Sequence, residues 1–320
     1  MYQEPIFLTP VFQERIWGGT KLAERFGYDI PSAQTGECWA VSAHPHGQTI
    51  VARGPFQGMT LGQLWEERRD LFGHFPSDRF PLLTKILDAN ADLSVQVHPD
   101  DEYAKTHEGG ELGKTECWYI IDCKPGAELI YGHHAETKGQ LRAMMEAGEW
   151  ERLLRKVPIR PGDFFYVPSG TIHALCEGTL VLETQQSSDT TYRVYDYDRV
   201  DSQGRKRELH LEKAIDVTTV PHRDTDVRPH VAEVPGATVT TFVEGDYFGV
   251  QKWEIRDVLE SEQTKPFLII SILEGEGELV HEGRIYPLRK GDHFILPHQF
   301  GLFAIRGVLE AIASWPRTGK

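Results

Sequence analysis

The residues best suited to chemistry fall in one stretch, Phe80 to Tyr119, which reads FPLLTKILDANADLSVQVHPDDEYAKTHEGGELGKTECWY. Leu93 to His98 alternates apolar and polar residues with a period of two, the pattern of a strand with one special face. Ser94, Gln96 and His98 then share one face, and Leu93, Val95 and Val97 the other. Eighteen residues after His98 stands Glu116, in the strand-like run Lys114-Thr115-Glu116-Cys117-Trp118-Tyr119, where the same alternation puts Lys114 beside it and Cys117 away from it. A carboxylate entering a buried strand needs a charged partner or a metal. A further histidine, His173, closes the run Pro168-Ser169-Gly170-Thr171-Ile172-His173. Two imidazoles and one carboxylate, all on strands, make a ligand set for a catalytic metal with a position left open. The mixed N/O set suits Zn²⁺, with Fe²⁺, Mn²⁺ and Co²⁺ chemically admissible. Two cations complete the group. Lys114 reads either as a solvated lysine or as a partner of Glu116. Arg193, in Asp189-Thr190-Thr191-Tyr192-Arg193-Val194-Tyr195, alternates onto a face with Thr191 and Tyr195, and an ion pair with Glu183 is its structural explanation. A metal, a lysine and an arginine in one cavity fit a phosphorylated or enediolate-forming substrate.

The elements that must hold these residues are mostly strands. Strand patterns cover 36–42, 90–98, 115–122, 127–131, 162–167, 179–184 and 190–197. Thr60 is placed to cap a short helix, LGQLWEERRDLFG, with Leu61, Leu64, Trp65 and Leu71 along one side. Ile16-Trp17-Gly18-Gly19 carries glycines that permit close backbone approach. The period changes at Glu136 to Val157, where Leu141, Met144, Met145, Leu153, Leu154 and Val157 recur at helical spacing, broken at Gly148. These methionines read as core. Residues 201–236 read as a polar crossing segment, helical around LEKAIDV.

An internal repeat organises the chain. Pro-Gly-Asp-Phe-Phe-Tyr-Val-Pro at 161–168 resembles Lys-Gly-Asp-His-Phe-Ile-Leu-Pro at 290–297, and the stretch at 125–132 loosely resembles that at 276–283. On these offsets His173 corresponds to Leu302 and Glu116 to Phe267, so the second copy is expected to be packed and metal-free, with His293 and His298 at its surface or rim. The repeated unit, with its G-D-x-x-x-x-P-x-G-x-x-H motif, resembles a cupin, a small double-sheet jelly roll around a cavity. The expected fold is therefore mainly β: two cupin-type jelly-roll barrels, with a helical insertion at about 136–157 in the first. The expected division is a catalytic domain at 1–236 and a metal-free barrel at 237–320.

The formal charge of −14 excludes nucleic acid as a general partner, though not an anionic small substrate met by a few local cations. No run of about 18 apolar residues spans a membrane. The N-terminal MYQEPIFLTPVF lacks a basic region leading into an apolar core, so no signal peptide is expected. The four cysteines, Cys38, Cys117, Cys123 and Cys176, have no CxxC spacing and read as buried reduced thiols of a cytoplasmic protein.

Several stretches together resemble the type I phosphomannose isomerases, in their shorter bacterial form. They are IWGG at 16–19, GECWAVS at 36–42, FPLLTKILDANADLSVQVHPDDEYA at 80–104 and GELGKTECWYI at 110–120. PGDFFYVPSGTIHAL at 161–175 and LETQQSSDTTYRVYDYDR at 182–199 extend the match over about the first 215 residues, in order. The resemblance implies a zinc-dependent aldose–ketose isomerase, with one Zn²⁺ per chain, that interconverts mannose 6-phosphate and fructose 6-phosphate. His98, Glu116 and His173 match the family's zinc ligands, and Gln96 matches a glutamine that contacts zinc in longer members, a candidate fourth ligand. Arg193 matches the active-site arginine and Lys114 a lysine of the cavity. Lys114, Glu183 or a zinc-held water remain open as the base. The competing readings are a sugar-phosphate-binding cupin without catalysis, an isomerase of another sugar phosphate, and an iron cupin oxygenase. The last commonly carries His-x-Asp/Glu or His-x-His, where this chain has Gln96-x-His98.

Overall fold

The computed structural model describes residues 2–318. Strands account for 46% of the chain and helices for 14%, so the class is mainly β as expected. Two antiparallel sheets form the unit that holds the candidate residues. A six-stranded sheet runs in the order Phe164–Val167, Glu116–Cys123, Thr179–Gln186, Leu82–Ala89, Thr35–Val41, Val11–Gly19. A five-stranded sheet runs Leu154–Pro158, Glu128–His133, His173–Leu175, Val95–Val97, Tyr192–Tyr195.

Strand alternation explains how the six-stranded sheet serves two cores. Cys38, Ala40, Leu82, Ile86, Cys117, Tyr119, Leu180 and Leu182 turn outward into a core shared with Ile269, Leu273, Ile295 and Ile312 of a ten-stranded sheet. Cys117 thus points away from Glu116, and the thiols of Cys38 and Cys117 are buried, while Cys123 and Cys176 are only half-buried. The opposite face of the sheet carries Glu37, Trp39, Lys85, Trp118 and Glu183. In the ten-stranded sheet, strands of the C-terminal part are joined by Ile6–Thr9 and Ile50–Val51, which add to the edge at His293–Leu296. The division at 236/237 falls in the turn of the hairpin between His230–Val234 and Ala237–Glu244.

Several local expectations hold. Thr60 accepts from the backbone N–H of Gln63, whose side chain accepts from the Thr60 N–H in return, a full capping box. Leu61, Leu64, Trp65 and Leu71 are all buried, although the helix ends at Glu67 and Leu71 follows in a 3₁₀ turn. LEKAIDV forms the helix Leu211–Val217. Gly18 lies within a strand, and a Cβ there would stand 2.4 Å from the backbone nitrogen of Gly36, so close approach of the chains requires glycine.

Others need correction. The helical insertion consists of Lys138–Glu146 and Trp150–Leu153, and Leu154–Pro158 is a strand paired with Glu128–His133. Leu154 and Val157 therefore belong to the sheet, whose ladder overrides the helical spacing. Leu93 does not pack with Val95 and Val97; it precedes the strand and joins Trp17 and Leu87 instead. Tyr195 does not share a face with Arg193. A bulge between them shifts the register, and Tyr195 stacks on Trp150 at 4.6 Å.

The offset of the repeat also slips. Val167 pairs with Glu116, and the matching Leu296 pairs with Leu268, so Leu268 rather than Phe267 stands in the place of Glu116. Leu302, matched to His173 by the repeat, is 74% exposed, while its neighbour Phe303 packs inward, because successive residues of a strand face opposite sides. His293 is not at the surface. It is 1% exposed, with Nδ1 2.9 Å from Ser271 Oγ and Nε2 2.8 Å from the Tyr28 hydroxyl.

Burial pushes the His293 imidazole down to about 3. The unfolded chain takes up a proton near the ordinary value of about 6.5, whereas the folded chain refuses it. The contribution of His293 is thus fully present above that pH and declines as pH falls toward 3. Urea unfolding is expected to show a loss of about 2 kcal/mol from this group between pH 6.5 and 5, and His293→Asn is expected to lose correspondingly less over that interval. An identical pH slope in the two proteins overturns the assignment.

Candidate active site

The five- and six-stranded sheets place two rows of side chains opposite one another. Across the five-stranded sheet, Tyr131 pairs with His173, His173 with Gln96, and Gln96 with Arg193. Across the six-stranded sheet, Trp118 pairs with Glu183, Glu183 with Lys85, and Lys85 with Trp39. Between the rows lies a cavity of about 430 Å³. A larger one, about 1040 Å³, lies against the ten-stranded sheet, but its Arg289 and Arg306 face Asp292 and Glu278 at 3.7 and 3.8 Å, and among the described residues it holds no metal-ligating cluster. Convergent chemistry, not volume, singles out the smaller cavity.

Among the described residues, His98, Glu116 and His173 form the one cluster whose donor atoms could hold a metal ion, all within 4.8 Å of one another and all buried. Glu116 Oε2 lies 3.4 Å from His98 Nε2, and Oε1 lies 3.2 Å from His173 Nε2. Each ring is oriented by its other nitrogen: His98 Nδ1 donates to the Thr190 carbonyl at 2.9 Å and His173 Nδ1 to the Thr171 carbonyl at 2.8 Å. That assignment leaves both Nε2 atoms as lone-pair donors turned toward the carboxylate, the arrangement metal-binding histidines adopt. Both Glu116 oxygens are buried without an aligned hydrogen bond. A buried carboxylate facing two imidazole lone pairs, with only the Lys114 ammonium against one side of the group, fits a divalent cation.

The electrostatics agree. Burial opposes ionisation of Glu116, but Lys114, His98 and His173 outweigh it and hold its carboxyl well below the usual range. Burial, reinforced by the Lys114 charge, pushes the His98 imidazole down to about 3, so it is neutral and able to ligate. Lys114 is buried rather than solvated, with Nζ 2.8 Å from Glu116 Oε2 and 3.1 Å from His98 Nε2. Burial works against its charge, yet Glu116 and Glu183 raise its pKa above the ordinary lysine value. Gln96 Nε2 is 3.5 Å from His173 Nε2, and a half-turn of the amide puts Oε1, a neutral oxygen donor, in the same place.

Arg193 lines the cavity but does not pair with Glu183; its Nη1 donates to the Glu208 carbonyl at 2.9 Å. Glu183 instead accepts from Trp118 Nε1 at 2.9 Å and lies 3.8 Å from Lys85. Burial and the neighbouring charge of Glu116 raise the Glu183 carboxyl, against the pull of Lys114 and Lys85.

Sequence reasoning missed a second buried group. Lys85 Nζ lies 3.5 Å from Glu37, which also binds Arg15 at 2.9 Å and accepts from Trp39 Nε1 at 2.5 Å. Asp189, at the same cavity, pairs with His46 at 3.0 Å. A signal existed, since Glu37 is the lone charge in Thr35–Val41 and Lys85 stands among mostly apolar residues in Leu82–Ala89, but no local pattern joins the two.

Comparison with known proteins agrees with this geometry. Residues 6–120 match the phosphomannose isomerase type I catalytic domain, and residues 238–316 match the mannose-6-phosphate isomerase cupin domain. The chain is 57% identical to the mannose-6-phosphate isomerase ManA of Bacillus subtilis, with 98% of this chain and 99% of that protein covered. The chain belongs to the type I phosphomannose isomerase family. A mannose-6-phosphate isomerase of Streptococcus mutans is 53% identical, over 97% of this chain and 98% of that one. The crystal structure of mannose 6-phosphate isomerase from Bacillus subtilis superimposes with a TM-score of 0.96 at 60% identity, covering 98% of this chain and 99% of that one. The Salmonella typhimurium enzyme in its apo form shares the fold, with a TM-score of 0.77 at 15% identity over 99% of this chain and 100% of that one.

Proposed function

We propose that this chain is a mannose-6-phosphate isomerase. In this reading it carries one Zn²⁺ on His98, Glu116 and His173, with Gln96 as a fourth donor. It moves a proton between C2 and C1 of the open-chain sugar phosphate through a cis-enediolate. The observation that carries the reading is the buried Glu116 carboxylate facing the Nε2 atoms of two imidazoles, each oriented through its Nδ1, beside a cavity rich in cations. Near full-length identity to named isomerases supports the substrate. Residues 1–236 serve as the catalytic part and 237–320 as a metal-free part that backs it.

When bound, the metal supplies Lewis-acid polarisation of the sugar's carbonyl and hydroxyl oxygens. The protein's own groups account for the rest. Glu183 is the base best fitted to carry the proton from C2 to C1, because its carboxyl is raised toward working pH and it lines the cavity. Lys114, held protonated, is a poor base and instead offsets charge developing on the enediolate oxygens. Arg193 offers a second fixed positive charge. The phosphate, remote from the reacting carbons, supplies binding energy for positioning.

The test is conversion of mannose 6-phosphate to fructose 6-phosphate by the purified protein, as isolated, after chelation and after zinc is restored. Activity is expected to vanish on chelation and return with zinc. Bound metal without conversion overturns the substrate; activity that survives complete metal removal overturns the metal.

A further inference from the structure

The charges lining the cavity are not evenly neutralised. Lys114 is matched by Glu116, Lys85 by Glu37 and Glu183, and Arg15 by Glu37, while Asp189 contacts His46 and feels the charge of Lys85. At the far end the balance changes. Arg193 has no carboxylate partner among the described residues, and its Nε is buried without an acceptor. Arg207 and Arg199 share the single carboxylate of Asp196. Three guanidiniums against Asp196 and the exposed carboxylate of Glu208, which lies 3.8 Å from His210 Nε2, still leave an excess positive charge, and two of the three, Arg193 and Arg207, face the cavity.

The donors at this end are fixed and partly unused. Arg207 holds Asp196 through Nε at 2.8 Å and one Nη at 2.5 Å, leaving its other Nη without a protein acceptor among the described residues. The same segment clamps Arg193. The His210 backbone N–H donates to the Arg193 carbonyl at 2.8 Å, and His210 Nδ1 accepts from the Arg193 N–H at 3.1 Å. That bond places the imidazole proton on Nε2, a further donor on a residue lining the cavity, with Glu208 Oε2 beyond hydrogen-bond reach at 3.8 Å. Arg199 is not part of this set. It donates to the Asp92 carbonyl and Asp196 and lies over the Tyr197 ring.

Position then decides the ligand. His173 pairs with Gln96 and Gln96 with Arg193, so the backbone of Arg193 lies two strand spacings from that of His173, about 10 Å. Arg207 and His210 come from the segment beyond that edge strand. A sugar whose reacting carbons sit at the histidine end would carry its distal substituent toward these donors. Convergent, fork-shaped, unneutralised N–H groups suit a phosphate dianion.

We propose that Arg207, with His210 Nε2–H and the unused Nε–H of Arg193, forms the phosphate-holding subsite that makes the enzyme selective for phosphorylated over free sugar. This rests on the isomerase reading above, and the experiment separates the two. Arg207→Gln and Arg207→Lys are compared with the parent for kcat and KM on mannose 6-phosphate, for kcat/KM on free mannose, and for affinity toward inorganic phosphate by calorimetry. Thermal melting confirms that each variant is folded, Asp196 keeping Arg199 as its partner.

Arg207→Gln is expected to raise KM for mannose 6-phosphate about 10- to 100-fold, the range for loss of charged hydrogen bonds. It should weaken inorganic phosphate by a similar factor and reduce the preference for the ester over the free sugar. Arg207→Lys, keeping the charge without the fork, should recover part of each. A fall in kcat with KM and phosphate affinity unchanged overturns the subsite, leaving Arg207 as a positioning group for Arg193. Unchanged constants overturn it as well. If the parent converts no mannose 6-phosphate, the isomerase reading fails by itself. Phosphate calorimetry then decides the subsite alone: loss of binding in Arg207→Gln upholds it, and retained binding or none in the parent overturns it.

Discussion

Replacing His98 by alanine is expected to abolish stoichiometric divalent-metal binding and to cut turnover of mannose 6-phosphate by about 10³-fold or more. The magnitude follows from the role assigned to the metal: several kcal/mol of charge stabilisation corresponds to about three decades in rate. The site explains why one ligand matters so much. His98, Glu116 and His173 are each no more than 1% exposed, so no water from bulk substitutes readily for a missing imidazole. The loss should be one of metal content as well as rate, measured by elemental analysis of the purified variant. Thr190→Ala is the useful companion, because His98 Nδ1 is oriented by the backbone carbonyl at that position and not by the side chain. It should bind metal like the parent. A His98→Ala protein that keeps one metal per chain would remove His98 from the ligand set.

The second large effect concerns Lys85, buried at 4% exposure between two carboxylates. Lys85→Met is expected to destabilise the fold by about 3–5 kcal/mol, because removing one member of a buried ionic group leaves the others uncompensated. The two carboxylates should respond unequally. Burial opposes ionisation of Glu37, but Lys85, Arg15 and the Trp39 N–H together hold its carboxyl low, and the last two remain in the variant. Glu183 keeps the Trp118 N–H and the charge of Lys114 but has no second cation comparable to the Arg15 that Glu37 retains.

Its carboxyl, already raised by burial and by Glu116, should rise further. A folded-state carboxyl above its unfolded value binds more protons folded than unfolded, so stability falls as pH rises through that interval. The deficit of Lys85→Met in urea unfolding should therefore be larger at pH 8 than at pH 5. Adding Glu183→Gln to Lys85→Met should return most of it. A deficit independent of pH, or one untouched by the second substitution, would show that Lys85 acts through packing against Trp39 rather than through charge.

The candidate site was legible in the sequence where function forces an exception to a local pattern. Polar Gln96 and His98 alternating with apolar Val95 and Val97, and Glu116 entering an apolar strand, are such exceptions, and alternation alone placed them correctly on their faces. Helix caps were equally local: Thr60 and Gln63 lie three residues apart and need no other part of the chain. The repeat located the second strand-rich stretch because its G-D-x-x-x-x-P turn recurs. It could not set the strand register, which depends on pairing with distant partners, so the equivalence of Glu116 slipped by one residue and Leu302, matched to His173, faces outward.

Tertiary structure decided what depends on which strands become neighbours. Glu37 on Thr35–Val41, Lys85 on Leu82–Ala89 and Glu183 on Thr179–Gln186 are far apart in sequence, and only sheet order makes them one buried ionic group. The bulge that turns Tyr195 away from Arg193 is invisible to a period-two reading, which assumes an unbroken ladder. His293 reads as a rim histidine because its turn is polar, yet Tyr28 and Ser271, brought from elsewhere, supply the partners that let it be buried. Sequence determined which side chains could ligate and which faces they occupy, since alternation is a property of the backbone alone. The fold decided which charges are neutralised and which remain free, since that depends on distances between strands that no local pattern contains.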